Sequence, residues 1–404
     1  MRLAFFLAIS LFAADSPESV GFSQQRLQKL HVAMDELVDS KQLAGVQTMV
    51  ARHGKVIDQH VYGKRDLASG AALQPDTIFR IYSMTKPIIG VAMMMLYEEG
   101  KWKASDPVSK YLPEFANVQV YKSDGTMAKP KRAPTMEQLM SHTAGLTYGF
   151  FGDTPVDKLY REAAPLGATS LKDMSERIAK LPLLYEPGDQ WVYSVSVDVQ
   201  GCIIEKISGM PLDVFLQKRI FEPLGMKDTG FYVPVEKRAR FATEYRWNAK
   251  GELQAGGNDY SKPPAAPSGG GGLVSTARDY MRFAQMVANK GELDGVRLLS
   301  PATVTLMTAN HLSSRVLNGS HGETRPGQGF GYDFAVFMDP ALAGAAVGKG
   351  THFWSGMAGT WFWIDPVNDV VFVGMIQRII DPKSPDVQHL SRALTMQALL
   401  NPAK

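Results

Sequence analysis

Cysteine is almost absent from this sequence: Cys202 is the only one in 404 residues. A single thiol cannot form an internal disulfide, and it excludes a metal site built from several thiolates. Cys202 lies in the apolar segment VQGCIIEKI. We therefore predict that it is a small core residue.

An excess of charge of either sign is also missing. The chain carries 43 Lys and Arg against 40 Asp and Glu, which gives a net charge of +3. The densest basic cluster, KPKR at Lys129–Arg132, lies beside prolines and is typical of a solvated loop. So small and dispersed a charge does not favour a nucleic-acid partner, and we expect none.

Long hydrophobic runs are confined to the N-terminus. MRLAFFLAISLFAADS has one basic residue, an apolar run from Leu3 to Ala14, and then small and acidic residues. This run is too short to span a bilayer and is typical of a signal peptide, which we place at residues 1–14. The alternative is an apolar helix packed on the body of the protein. We expect an exported protein, periplasmic or secreted, without a transmembrane segment.

Several common catalytic motifs are missing as well. The histidines show no His-Glu-x-x-His or similar metal spacing, and no serine lies in a Gly-x-Ser-x-Gly elbow. The SGGGG run at Ser268–Gly272 lacks the Lys-[Ser/Thr] ending of a phosphate loop, so we interpret it as a tight turn near a site. His142 in SHTAGL is more typical of a structural histidine than of a triad member. We predict neither a metal site nor a cofactor.

The order of predicted elements indicates an α+β fold. A helical pattern before residue 43 precedes a β-hairpin around His53–Gly54, and strand patterns return in GYDFAVFM, THFWSGM and GTWFWIDPVNDVVFVGMIQR before a last helix. The middle of the chain is mostly helical. We predict a sheet domain from residues 15–100 and 270–404, a mostly helical domain from residues 101–269, and an active site between them.

The stretch IYSMTKP, Ile81–Pro87, holds a candidate catalytic pair. If a helix begins near Ser83, then Ser83 and Lys86 lie on one face, and Pro87 is tolerated in the first turn. A serine needs a base within hydrogen-bond reach, and a lysine serves if burial or a nearby cation lowers its pKa. A tyrosine held near its phenolate form by that lysine is an alternative base.

Six motifs in a fixed order identify a resemblance. They are FRIYSMTKP, LMSHTAGLTYGF, YEPGDQWVYSVSVDVQG, FEPLGMKDTGF, SGGGGLVSTARDYMRF and WSGMAGTWFWIDP. With these motifs the chain resembles the serine β-lactamase and penicillin-binding-protein superfamily from about residue 20 to about residue 395, and within it the class C-like family VIII carboxylesterases. The resemblance implies a β-lactamase/DD-peptidase-like fold, with a central antiparallel sheet flanked by helices and a mostly helical inserted domain.

The same resemblance implies roles for individual residues. Ser83 would be the acylated nucleophile, Lys86 its proton partner, and Tyr193 the general base and later the acid for the leaving group. The backbone N–H groups of Ser83 and Met357 would form the oxyanion hole. The substrate-binding residues implied are Tyr82, Trp354, Ser355 and Gly356, the last three matching the family's Lys-Thr-Gly element.

Two departures from the β-lactamase pattern bear on the substrate. Val195 replaces the asparagine of the tyrosine motif, and Trp354 replaces a lysine suited to a substrate carboxylate. An aromatic wall without that cation favours a neutral ester over an anionic lactam. We predict a carboxylesterase that cleaves short-chain, small-molecule esters through an acyl-enzyme on Ser83, with weak β-lactam hydrolysis as a shared side activity.

Three alternatives remain open from the sequence alone. A class C-like β-lactamase or a D-Ala-D-Ala carboxypeptidase would use the same nucleophile. A non-catalytic peptidoglycan-binding protein would have lost Ser83, Lys86 or Tyr193, and all three are present.

Overall fold

A computed structural model describes residues 16–318 and 325–401 of the chain. The signal peptide predicted at residues 1–14 lies outside the described residues. Within the described ranges, no helix combines the length and the apolar character needed to cross a bilayer.

The described residues contain twelve α-helices, six of which lie between residues 101 and 269. They are α1 (Gln24–Asp39), α2 (Thr85–Glu98), α3 (Met136–Met140), α4 (Pro155–Ala163), α5 (Leu171–Ala179), α6 (Ser196–Ser208), α7 (Leu212–Leu216), α8 (Glu222–Leu224), α9 (Ala277–Ala288), α10 (Pro301–Met307), α11 (Ser314–Leu317) and α12 (Val387–Met396).

Fifteen β-strands come mainly from the two ends of the described chain. They are β1 (Gly45–Arg52), β2 (Lys55–Gly63), β3 (Phe79–Arg80), β4 (Val120–Tyr121), β5 (Met127–Ala128), β6 (Glu244–Trp247), β7 (Leu253–Gly256), β8 (Val274–Ser275), β9 (Glu292–Leu293), β10 (Val296–Arg297), β11 (Gln328–Phe330), β12 (Ala335–Phe337), β13 (His352–Ser355), β14 (Trp361–Asp365) and β15 (Val370–Met375).

Seven of these strands form one antiparallel sheet in the order β11-β12-β13-β14-β15-β1-β2. The hairpin β1–β2, from the first part of the chain, therefore pairs with strands from the last third of the chain to form one sheet. The predicted mixed architecture, with a sheet built from both ends, agrees with this topology. The exact domain boundaries given above stay a prediction.

Strand β1 shows why the sheet is covered on both faces. All eight of its residues are buried. Met49 and Ala51 belong to one hydrophobic cluster, whereas Val46 and Val50 belong to a second cluster on the opposite face. This division follows from the two-residue repeat of a strand, and it places a core on each side of the sheet.

Different helices cover the two faces. α1 and α12 pack against each other, and the buried Leu27, Leu30 and Met34 of α1 join the cluster that contains Val46. α9 packs over β15 and β1 on the other side, and its N-cap residue is Thr276, whose hydroxyl accepts the Asp279 N–H. The helical pattern before residue 43 and the last helix, both predicted from the sequence, are confirmed as α1 and α12.

The helix α2 lies between the sheet and the helical middle of the chain. It is buried from Thr85 to Leu96, which includes the methionine run Met93–Met95. α2 packs against α6, and Cys202 of α6 is a buried free thiol in the same cluster. The helix that carries Lys86 is thus fixed on all sides by packing, and Lys86 itself is fully buried.

Candidate active site

The candidate nucleophile lies on a short turn between β3 and α2. Residues Tyr82–Met84 form a 3₁₀ turn, and α2 begins at Thr85, two residues later than a helix start at Ser83. Tyr82 has φ +42°, a left-handed conformation that is uncommon for a bulky residue and costs about 1–3 kcal/mol. The hydroxyl of Tyr82 donates to Glu244 Oε2 at 2.6 Å, which anchors the turn.

Tyr82 and Glu244 hold this turn as a buried pair. Glu244 of β6 is fully buried, and the Tyr82 side chain is 6% exposed. Burial and the Glu244 carboxylate raise the pKa of Tyr82, so its phenol remains a neutral donor. Its predicted place in substrate binding stays a prediction, because the structure shows its hydroxyl engaged with Glu244.

Lys86 is brought together with Ser83 as the motif predicts. Its amine donates to Ser83 Oγ at 3.3 Å, to Tyr148 OH at 2.9 Å and to the Gly270 carbonyl at 2.5 Å. An ammonium group has three N–H bonds, and each of them has an acceptor here. Lys86 is therefore held in one position beside the nucleophile.

Tyr193 approaches the same amine through the face of its ring. Lys86 Nζ lies 4.6 Å from the Tyr193 ring centroid, a cation–π distance. The ring also contacts Tyr148 and Trp354, with centroid separations of 5.3 and 5.4 Å. Ser83, Lys86 and Tyr193 thus form one cluster together with an aromatic neighbour on each side.

Two residues of this cluster were not identified from the sequence. Tyr148 OH lies 3.4 Å from Asp198 Oδ2, and the fully buried Asp198 Oδ1 also accepts from Ser268 Oγ at 2.5 Å and from the Gly270 N–H at 3.0 Å. Burial raises the pKa of Asp198, while Lys86 and these donors oppose that shift. In the sequence, the signal that could have identified Asp198 is an aspartate within the largely apolar segment that forms α6.

The glycine run at Ser268–Gly272 lies against this network. A Cβ on Gly270 would lie 2.4 Å from Asp198 Oδ2 and 2.5 Å from Tyr148 OH, so no larger residue fits without rearrangement. The interpretation of SGGGG as a tight turn near the site is confirmed. Its backbone supplies one acceptor for Lys86 and one donor for Asp198.

The end of β13 runs beside the turn that carries Ser83. A Cβ on Gly356 would lie 2.3 Å from the Ile81 carbonyl, and Thr360 Oγ1 donates to that carbonyl at 3.3 Å. The Gly356 N–H donates to the Thr360 carbonyl at 2.7 Å, whereas the Met357 N–H has no acceptor among residues 16–318 and 325–401. An unpaired N–H at this place is what an oxyanion hole requires.

A cavity of about 450 Å³ opens next to these residues. Its lining includes Tyr193, Trp354 and Ser355, which the sequence assigned to the site. A second cavity, of about 540 Å³ around Leu212 and Phe231, shares none of these residues. We therefore regard the first cavity as the place where a substrate would lie.

His142 packs against the Tyr193 side of the cluster. It is fully buried, its Nδ1 lies 3.0 Å from Ser194 Oγ, and its ring is 5.1 Å from that of Tyr193. Burial lowers the pKa of His142 well below its usual range, so the ring is neutral. This environment agrees with the prediction of a structural histidine.

The described part of the chain holds no group of three or more His, Cys, Asp or Glu residues placed to bind a metal ion. The Lys86 cluster itself offers a serine hydroxyl, an amine, two phenols and a buried carboxyl group. Such a set can take up and return a proton during acyl transfer.

Comparisons with known proteins show the family to which this chain belongs. The family model described as Beta-lactamase matches residues 31–396. An uncharacterized protein of Mycobacterium tuberculosis is 37% identical over 86% of this chain and 88% of its own length. Esterase EstB of Burkholderia gladioli is 32% identical, over 83% of this chain and 86% of its own.

A solved structure extends the likeness to the fold. EstCE1, described as a hydrolase with promiscuous acyltransferase activity, superposes with a TM-score of 0.79 at 28% identity, over 92% of this chain and 99% of that one. The family match covers nearly all described residues, and the likeness to EstB and EstCE1 covers the sheet and the helical middle together. With its β-lactamase/DD-peptidase-like fold, this chain belongs to the beta-lactamase family of serine hydrolases.

Proposed function

We propose that the protein is a carboxylesterase that hydrolyses short-chain carboxylic esters through an acyl-enzyme on Ser83. The observation that carries the proposal is the pairing of Lys86 with Ser83 at 3.3 Å beside a cavity whose wall, next to Ser355, is the Trp354 indole. Lys86 takes part in the proton transfer, and an indole in place of a cation favours a substrate that carries no charge beside Trp354.

In the proposed acylation, Ser83 Oγ attacks the ester carbonyl and its proton passes to the oxygen of Tyr193, the general base, which enters this step without its own proton beside the Lys86 amine. The backbone N–H groups of Ser83 and Met357 stabilise the oxyanion. Tyr193 then gives a proton to the leaving alkoxide, which departs as the alcohol. Water attacks the acyl-enzyme by the same route in reverse, which releases the carboxylic acid and restores Ser83.

The likeness to Esterase EstB supports this choice over a β-lactamase. The decisive experiment compares kcat/KM for p-nitrophenyl butyrate and for nitrocefin on one preparation, with Ser83→Ala as the control. Faster butyrate hydrolysis that is lost in Ser83→Ala supports the proposal. Faster nitrocefin hydrolysis would instead indicate a β-lactamase.

A further inference from the structure

The cavity beside Trp354 extends well beyond the reacting groups. Besides Tyr193 and Ser355 it is lined by residues from β11, β13 and α12 and from the loop before β11, which include Arg325, Gln328 and Gln388. Its volume of about 450 Å³ falls in the range of small-molecule sites, which is about 300–1,000 Å³. A short acyl ester alone would leave most of this space to the rest of the substrate.

Aromatic rings form the walls of this cavity. Trp191 lies 5.3 Å from Phe330, Phe330 lies 5.3 Å from Trp354, and Trp354 lies 5.4 Å from Tyr193, measured between ring centroids. Rings that contact one another in this way keep their orientation, and each pair adds about 0.5–1.5 kcal/mol beyond burial. Walls of this kind suit a flat aromatic group.

Two hydrogen-bond donors in these walls have no partner. Trp191 Nε1 and Trp354 Nε1 are buried, and neither donates to any atom of the residues that the structure describes. Buried polar groups are nearly always paired in folded proteins, so unpaired ones need an explanation. Both N–H groups lie below the surface of the cavity wall, so the oxygen of a ligand reaches them only if these rings shift when it binds.

The charge in the cavity is positive. Arg325 is the one charged side chain in its lining, and its guanidinium makes no ion pair with residues 16–318 or 325–401. Arg392 lies behind the wall, 5.8 Å from the Phe353 ring centroid, with its Nε buried and without an acceptor in the described chain. Asp386 is the nearby counter-charge, and its carboxylate already accepts the His389 N–H. A cationic lining raises the local concentration of an anion.

We propose that the aromatic cavity binds the leaving group of the ester, as an aromatic ring that bears a carboxylate met by Arg325. The substrate class is thus acyl esters of hydroxyaryl carboxylic acids. The assignment rests on the proposed function, because Tyr193, the acid for the leaving group, lines this cavity. The anion lies at the far end of the ring from the ester, so the Trp354 indole is not required to meet a charge.

The test uses two esters of similar shape whose ring substituents differ in charge, 4-acetoxybenzoate and 4-acetoxybenzamide, and compares each variant with the wild type so that their different intrinsic reactivities cancel. The ratio of their kcat/KM values should exceed one in the wild type and fall by about tenfold in Arg325→Gln, with part retained in Arg325→Lys. Arg315→Gln is the matched control, because Arg315 is exposed, pairs with Asp189 and lies outside the lining. A ratio that Arg325→Gln leaves unchanged would overturn the proposal.

A binding measurement separates this inference from the proposed function. The Ser83→Ala protein should bind 4-hydroxybenzoate about tenfold more tightly than 4-hydroxybenzamide by calorimetry, and Arg325→Gln in that background should remove the difference. Equal affinities would refute the inference even if p-nitrophenyl butyrate is hydrolysed. Loss of ester turnover in every assay would refute the proposed function. Calorimetry would still show whether the cavity binds the carboxylate more tightly than the amide.

Discussion

The Lys86 cluster and the aromatic cavity are adjacent, yet they satisfy their polar groups in opposite ways. Lys86 is fully buried, and all of its N–H bonds meet acceptors from the chain itself. In the cavity, the indole N–H groups of Trp191 and Trp354 meet no acceptor in the described residues. The protein thus satisfies the buried amine of Lys86 from within the chain, whereas it leaves two buried N–H groups in the wall of the cavity without acceptors.

The largest expected effect comes from breaking the Lys86 cluster. Lys86→Ala and Tyr193→Phe should each lower kcat for p-nitrophenyl butyrate by about a hundredfold to ten-thousandfold, the usual contribution of general acid–base groups. The double variant should be little worse than either single one, because members of one proton relay are non-additive. Steady-state kinetics on the three variants checks this, with melting temperatures as the control for folding. If the losses in kcat of the two single variants multiply in the double variant, then Lys86 and Tyr193 act independently.

A smaller loss should follow when Lys86 loses a neighbour instead of being replaced. Tyr148→Phe removes the 2.9 Å acceptor of the amine, and Asp198→Asn removes the charge behind it. A hydrogen bond to a charged group contributes about 1.5–3 kcal/mol, so kcat should fall by about ten- to a hundredfold in each. Ser268→Ala is the matched control, because it removes one donor to Asp198 and leaves the charge. Wild-type kcat in Tyr148→Phe would show that Lys86 does not need this phenol.

The cavity side is sharpened by placing a cation at position 354, next to Ser355. Trp354→Lys should raise the ratio of kcat/KM for nitrocefin to that for p-nitrophenyl butyrate by about tenfold, mainly through loss of ester turnover and with some gain for the lactam. Trp354→Phe keeps a neutral aromatic ring and should leave the ratio nearly unchanged. A wild-type enzyme that already prefers nitrocefin would reverse the specificity argument.

The smallest effect on catalysis concerns His352, on the strand that carries Trp354. His352 is fully buried, and burial lowers its pKa to about 4. Because the folded-state value lies below the unfolded value near 6.5, its contribution to stability is complete above pH 6.5 and is lost as the pH falls toward 4. The stability lost over this pH range is about 3 kcal/mol, because each pKa unit corresponds to about 1.36 kcal/mol.

Urea unfolding at pH 7.0 and pH 4.5 measures this loss. Between pH 7.0 and pH 4.5 the free energy of unfolding should fall less in His352→Gln than in the wild type. The difference between the two proteins removes the contribution of all other titrating groups. His53→Gln is the control, because His53 is exposed and pairs with Asp369 on the surface. If the free energy of unfolding depends equally on pH in His352→Gln and in the wild type, then burial does not lower the pKa of His352.

Local sequence patterns were sufficient for most of the fold. The apolar repeat of Leu27, Leu30 and Met34 predicted α1, and the His53–Gly54 turn predicted the β1–β2 hairpin, both of which are present. The pairing of Ser83 with Lys86 followed from their spacing. These features depend on residues within a few positions of one another, where periodicity and turn chemistry decide the structure.

The remainder of the site depends on contacts that no local pattern encodes. Tyr148 is 62 positions and Gly270 184 positions from Lys86, and Asp198 reaches the network from α6. The left-handed backbone of Tyr82 was equally hidden, because a bulky residue rarely adopts it without a partner such as Glu244. Tertiary packing sets these positions, so only the structure showed them.

The central claim is that Ser83 is the acylated nucleophile, and covalent labelling tests it most directly. A p-nitrophenyl alkylphosphonate should release one equivalent of p-nitrophenol from the wild-type protein and add one phosphonyl group, located on Ser83 by peptide mass mapping. Ser83→Ala should gain no mass and lose ester turnover by several orders of magnitude. A label on another residue, or near-full esterase activity in Ser83→Ala, would contradict the account.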